Sequence, residues 1–253
     1  MELGQMLVLF AAGIVAGGVN AIAGGGTFFT FPALLAAGLP PVAANASNAV
    51  AVWPGHAVAT LSYRQELARN KGRLVGSGIV ALLGGSAGAL LLLRTGDATF
   101  TALIPALLIA ATLIFACKRW LEVALSALRP GHAQRRVTLW GWEFAIAVYG
   151  GYFGAGLGVL MLAGLALTGL RDLHQLNALK NLLSAIIASI AVVLFVVADA
   201  VSWPHATLAL VGSVIGGWLG VRVAKRIPAR WLERAIVAIG GLLSLYYALK
   251  IWT

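Results

Sequence analysis

The 253-residue chain is 60% hydrophobic and only 10% charged, with a mean hydropathy of +0.93. An ordinary soluble domain carries roughly 25% charged residues, and so little charged surface cannot cover this much apolar side chain in water. That excludes disorder, a collagen-like rod and a nucleic-acid-binding tail. It leaves an all-α polytopic membrane protein, with room for about eight spans of about 20 residues each.

The net charge of +10 is informative through its position. No Lys or Arg precedes Arg64, and 14 of the 18 basic residues fall in three clusters, 64–73, 118–136 and 222–234. The clusters separate apolar runs, so they read as loops on the positive, cytoplasmic side of a membrane, and no nucleic-acid partner is expected. The single cysteine, Cys117, excludes a disulfide framework or a Cys-based metal site and reads as an apolar filler near a helix end. Ala21-Ile22-Ala23 resembles a cleavage box. The segment before it carries Glu2 and no positive charge, and the apolar pattern continues to residue 63, so it reads as retained.

In chain order the apolar runs are 3–38, 44–63, 74–93, 98–117, 139–169, 175–198, 205–222 and 231–250. Run 3–38 is too long for one crossing, and Gly24-Gly25-Gly26 breaks it, with Pro32 following. Run 139–169 is broken at Gly154-Ala155-Gly156-Leu157-Gly158. The segment after the first break, 27–38, is short for a span and suits a re-entrant half-helix.

The sequence matches itself at an offset of 132 residues. Gly18 falls on Gly150, Gly24 on Gly156, Gly26 on Gly158, and Asn45-Ala46 on Asn177-Ala178. Gly84, Gly85 and Gly88 fall on Gly216, Gly217 and Gly220 without a gap. The charge bias is swapped: loop 64–73 is basic, while its partner 196–205 has no Lys or Arg and carries Asp199. If both broken segments return to the side they entered, 15 basic residues lie inside and two outside. If both cross once, the split is 10 against seven, so the positive-inside rule favours the hairpins. The expected architecture is two inverted repeats, each a broken hairpin helix followed by three spanning helices. The first covers 1–117, a basic cytoplasmic linker covers 118–138, and the second covers 139–253, with both termini outside.

Paired broken helices in inverted repeats point to a transport site near the midplane. A half-helix beginning inside the membrane leaves unpaired N–H groups and a partial positive charge, which together make an anion site. The second halves are expected to start near Thr27 and Val159, so Gly24, Gly25, Gly26, Thr27, Gly156 and Gly158 are candidate anion contacts. Equally, such glycines pack membrane helices closely. Asn45, Ser47 and Asn48 in the first half, and Asn177, Lys180 and Asn181 in the second, are expected to face the bundle interior and complete the site. Capping and inter-helix hydrogen bonding are the other roles open to them. Lys180 is the sharpest candidate, because an ionisable group inside a span marks function by default. Snorkelling to headgroups is its alternative. His56 follows Trp53-Pro54-Gly55 and is the candidate proton-coupling residue, with a hydrogen bond to a neighbouring helix as its alternative role. Glu143 is expected to be an interfacial acid and Asp199 a solvated one. Trp120, Trp140, Trp142, Trp203 and Trp231 near span ends suit an aromatic belt. There is no Walker loop and no His-Glu-x-x-His zinc motif, so neither an enzyme nor a bound cofactor or metal is expected.

At these residues the chain resembles the TauE/SafE membrane proteins, the sulfite and sulfonate exporters. The first repeat carries the resemblance in Gly24-Gly25-Gly26, Pro32, Gly38-Leu39-Pro40 and Ala44-Asn45-Ala46-Ser47. The second carries it in Gly150 to Gly158, Asn177-Ala178-Leu179-Lys180 and Gly216-Gly217-Trp218-Leu219-Gly220. It departs where the first repeat commonly has a Thr-Ser pair and this chain has Asn45 to Asn48. The resemblance implies a bacterial inner-membrane exporter of a small sulfur oxyanion or organosulfonate, working as a secondary transporter. The partners expected are that small anion and the lipid bilayer, with a homodimer left open. An anion channel, or a membrane subunit of a sulfur-metabolism complex, is the other reading.

Overall fold

The computed structural model describes residues 1–22, 25–68, 71–117, 120, 135–166, 172–223 and 229–252. Those residues form eleven helices and no strand: α1 (Leu3–Ile22), α2 (Thr27–Ala36), α3 (Pro41–Ser62), α4 (Arg64–Ala68), α5 (Lys71–Thr95) and α6 (Asp97–Ala116), then α7 (Arg135–Tyr152), α8 (Leu157–Ala166), α9 (Leu173–Val197), α10 (Trp203–Val223) and α11 (Ala229–Trp252). Both long apolar runs are broken where the glycines predict. The short helix α4 is absent from the sequence reading, because a single polar turn leaves no periodic signal. The expected linker lies mostly outside the described residues, as do Gly24 and Arg171.

Local chemistry sets the helix ends. At the end of α2, Leu39 N–H donates to the Leu34 carbonyl (3.3 Å) and Gly38 takes φ +89°, closing the helix before Pro40 and Pro41 start α3. Asp97, in the first turn of α6, accepts from the Val42 amide at 2.9 Å and so ties the start of α3 to the start of α6. Asp172 caps α9 through the His174 amide at 2.9 Å.

Among the described residues five helices are long and apolar enough to cross a membrane: α1, α5, α6, α9 and α11. α3 has the length, at 22 residues, but carries Asn45, Ser47, Asn48 and His56. The helices pack through small residues, as expected where lipid gives no hydrophobic incentive to associate. α1 lies on α10 and α5 lies on α7. A Cβ on Gly216 would meet the Ile14 carbonyl oxygen at 1.9 Å, and one on Gly88 would meet that of Val148 at 2.0 Å. Both seams are backbone against backbone.

The 132-residue offset pairs α1 with α7, α2 with α8, α3 with α9, α5 with α10 and α6 with α11. Under that exchange the α1–α10 seam becomes the α7–α5 seam, and α3–α10 becomes α9–α5; all four contacts occur. Two pairs map onto themselves, and both run antiparallel. In α3–α9, Ser47 meets Ser202 just beyond α9, while Trp53 Nε1 donates to Ser189 Oγ at 2.8 Å. In α6–α11, Trp252 Nε1 donates to the Ala102 carbonyl at 3.1 Å, and Gly240 abuts Thr112.

Candidate functional site

The two breaks converge on Phe115 near the end of α6. Gly25 has φ +100° and Gly156 φ +77°, conformations that favour glycine. A Cβ at Gly25 would come within 2.9 Å of the Phe115 ring, and one at Gly156 within 3.5 Å. Phe28 packs edge-on to the same ring at 5.8 Å, and Phe31 packs on Phe153 of the second break at 5.4 Å. The sequence reading singles out none of these aromatics, since an apolar ring in an apolar span carries no signal.

The first break is held by side chains. Asn20 Oδ1 accepts from the Gly26 amide at 2.7 Å, which ties the end of α1 to the residue before α2 across the break. Asn48, reaching over from α3, donates from Nδ2 to Thr27 Oγ1 at 3.4 Å, and its Oδ1 accepts from Thr30 Oγ1. Thr30 Oγ1 also lies 3.2 Å from the Gly26 carbonyl. Thr27, Thr30 and Asn48 are all buried. Asn20 and Thr30 are absent from the sequence candidates. The spacing of Thr27 and Thr30, three apart on one face of α2, is the signal that finds the second of them.

The second break is built otherwise. α8 starts at Leu157, two residues ahead of the expected Val159. Tyr149 Oη donates to the Ala155 carbonyl at 2.6 Å, bracing the loop. Every side chain that seals the first break is replaced at the offset position: Asn20 by Tyr152, Thr27 by Val159, Thr30 by Leu162 and Asn48 by Lys180. The Lys180 alkyl chain runs past the first turn of α8, with Cδ 3.9 Å from where a Gly158 Cβ would stand. His56, half-buried on α3, lies within electrostatic range of Lys180. Asn177 and Lys180 are half-buried, and Asn181 is buried.

Asn45 joins the halves. Its Nδ2 donates to the Tyr152 carbonyl at the end of α7 (2.9 Å), while its buried Oδ1 has no hydrogen-bond partner. A buried acceptor left unmade costs about 1–3 kcal/mol. Ser47 faces elsewhere: its Oγ accepts from the Ser202 amide at 2.9 Å, tying α3 to the start of α10. Ser184, one turn beyond Lys180, is a residue the sequence reading misses. Thr60, Ser86, Thr112 and Ser244 each donate to the carbonyl four residues back at 2.6–2.9 Å. Ser184 Oγ is buried without a partner.

Two expectations need correction. Glu143 is not interfacial but buried, at 3% exposure. It shares the inward stripe of α7 with Leu139, Ile146 and Ala147, at spacings of four, three and four. Cys117 fills no apolar gap; it is exposed just past α6. Asp199 is exposed as expected and takes φ +51° between α9 and α10. Trp120, Trp140, Trp142, Trp203 and Trp231 are all exposed. Among the described residues no group of three His, Cys, Asp or Glu is placed to hold a metal ion.

A bundle of apolar helices with two breaks facing one another inside it defines a polytopic membrane protein of the transporter class. The family profile for the sulfite exporter TauE/SafE matches residues 9–247, and the chain belongs to that family. Its relatives carry the same class in their names. A "Probable membrane transporter protein" of Haemophilus influenzae is 29% identical over 92% of this chain and 90% of its own. The "Probable membrane transporter protein YfcA" of Escherichia coli K12 is 28% identical over 94% of this chain and 87% of its own. The "Probable membrane transporter protein ORF9" of a Sinorhizobium species is 29% identical over 96% and 95%. No solved structure matches.

Proposed function

We propose that the chain is a secondary transporter that exports a small sulfur oxyanion, sulfite or an organosulfonate, and that the anion sits at the second break. The observation that carries this reading is the passage of Lys180 along Gly158 at the start of α8. A helix N-terminus and an ammonium group both favour negative charge, and inside a bundle neither is screened as it is in water. At the first break Asn20 takes the Gly26 N–H, and Asn48 takes the buried Thr27 and Thr30 hydroxyls. Gly25, Gly26, Thr27 and Asn48 therefore serve as a fixed counterpart, while Gly156, Gly158, Asn177, Lys180 and Asn181 line the anion. His56, near Lys180, is the candidate for coupling a proton.

The two halves are inverted repeats in this account, a reading supported by the antiparallel course of α3 against α9 and of α6 against α11. Alternating access then moves one half against the other around the breaks. The protein resides in the bacterial inner membrane with loops 64–73 and 222–234 on the cytoplasmic side. Single-cysteine labelling of those loops from each side checks the orientation, and labelling from opposite sides contradicts it. Sulfite flux in proteoliposomes tests the function. Saturable flux that is lost in Lys180→Ala and partly restored in Lys180→Arg is expected. Flux unchanged in Lys180→Ala removes the site.

A further inference from the structure

We infer that Asn45 makes the site selective for anions that carry a hydrogen-bond donor, with its Oδ1 as the acceptor that reads it. The inference rests on the anion site proposed at the second break. Asn45 is 3% exposed, in the first turns of α3. Chemistry fixes the orientation of its amide. The Tyr152 carbonyl can only accept, so the atom facing it at 2.9 Å is Nδ2. The remaining atom, Oδ1, is then a buried acceptor at the end of α7, and it has no partner. Asn48, the neighbouring amide on the same helix, differs in that both of its polar atoms are engaged.

Tyr152 closes α7, and α8 departs from the same loop at Leu157. Around that loop the N–H groups of Leu157, Val159 and Leu160 donate to the Gly154 and Gly156 carbonyls, and the groups proposed to hold the anion, the Lys180 ammonium and the positive end of α8, favour acceptors. A fully deprotonated oxyanion offers only acceptors, and one of its oxygens against Oδ1 would face lone pair with lone pair. An anion that bears its own O–H or N–H satisfies both sides. It turns its charged oxygens to α8 and Lys180, and its donor to Asn45. Hydrogensulfite and the hydroxy- or amino-alkylsulfonates have this form; sulfate does not.

The test compares two ligands that differ in one hydroxyl, 2-hydroxyethanesulfonate and ethanesulfonate. Binding to the full-length detergent-solubilised protein is measured by titration calorimetry, with sulfite as reference. One neutral hydrogen bond corresponds to roughly a 2- to 10-fold preference for the hydroxylated ligand. In Asn45→Leu that preference falls to about one. The ligand pair decides the matter in the native protein even where the variant fails to fold. Equal affinities in the native protein overturn the inference and leave the anion site standing, with Oδ1 then serving only a buried water. If none of the three anions binds, the proposed site and this inference both fall.

Discussion

The two breaks occupy equivalent places in the two repeats and have opposite chemistry. At the first, Asn20, Thr27, Thr30 and Asn48 bond one another and the turn, so the break is sealed. At the second, the offset residues are Tyr152, Val159, Leu162 and Lys180, and a cation lies along the opening turn of α8. In the proposed account one break serves architecture and the other the ligand.

Four substitutions break or sharpen that contrast. The largest effect is expected from Lys180→Asn, which writes the first-break residue into the second. Removing one partner of a desolvated charge pair costs about 2–5 kcal/mol, so sulfite flux per folded molecule should fall by at least roughly 30-fold while Tm without ligand holds. Next is Gly26→Ala. Its Cβ would lie 2.6 Å from Asn20 Nδ2 and 2.7 Å from the Ala16 carbonyl oxygen, so it should lower stability by about 1–3 kcal/mol. Denaturant or thermal melts in detergent measure this. Asn48→Leu leaves the Thr27 hydroxyl unpaired and Thr30 with only the Gly26 carbonyl, and a loss of about 1–3 kcal/mol is expected, with sulfite affinity close to native. The smallest effect belongs to Gly158→Ala. Its Cβ meets only Lys180 Cδ at 3.9 Å, an ordinary contact, so the fold should tolerate it and only a modest change in sulfite KM is expected. Equal destabilisation by Gly26→Ala and Gly158→Ala would erase the distinction between the breaks.

Much of the architecture was legible without coordinates. The two runs too long for one crossing are broken at their glycine clusters, and the 132-residue offset pairs five helices of the first half with five of the second. Charge asymmetry carries the proposed orientation, because loops keep their lysines and arginines where spans do not. The site was legible only in part. Asn45, Asn48 and Lys180 stand out because polar atoms are scarce in an apolar chain. Their different partners do not, because Asn48 bonded to two threonines and Asn45 bonded to the Tyr152 carbonyl look alike as letters. Ser47 shows the same limit, being spent on the Ser202 amide. Phe115 was invisible, since convergence of Gly25 and Gly156 on one ring is a tertiary fact. Glu143 was misplaced because its distance from a span end says nothing about which stripe of α7 it occupies.

The most direct test of the sealed-and-open contrast is ligand-induced stabilisation in Lys180→Asn and Asn48→Leu side by side. A ligand that binds the native state raises its stability by linkage. Sulfite titrated at constant ionic strength should raise Tm saturably in the native protein and in Asn48→Leu, from a lower starting Tm, and should not raise it in Lys180→Asn. A sulfite shift kept in Lys180→Asn and lost in Asn48→Leu would put the anion at the first break and contradict the account.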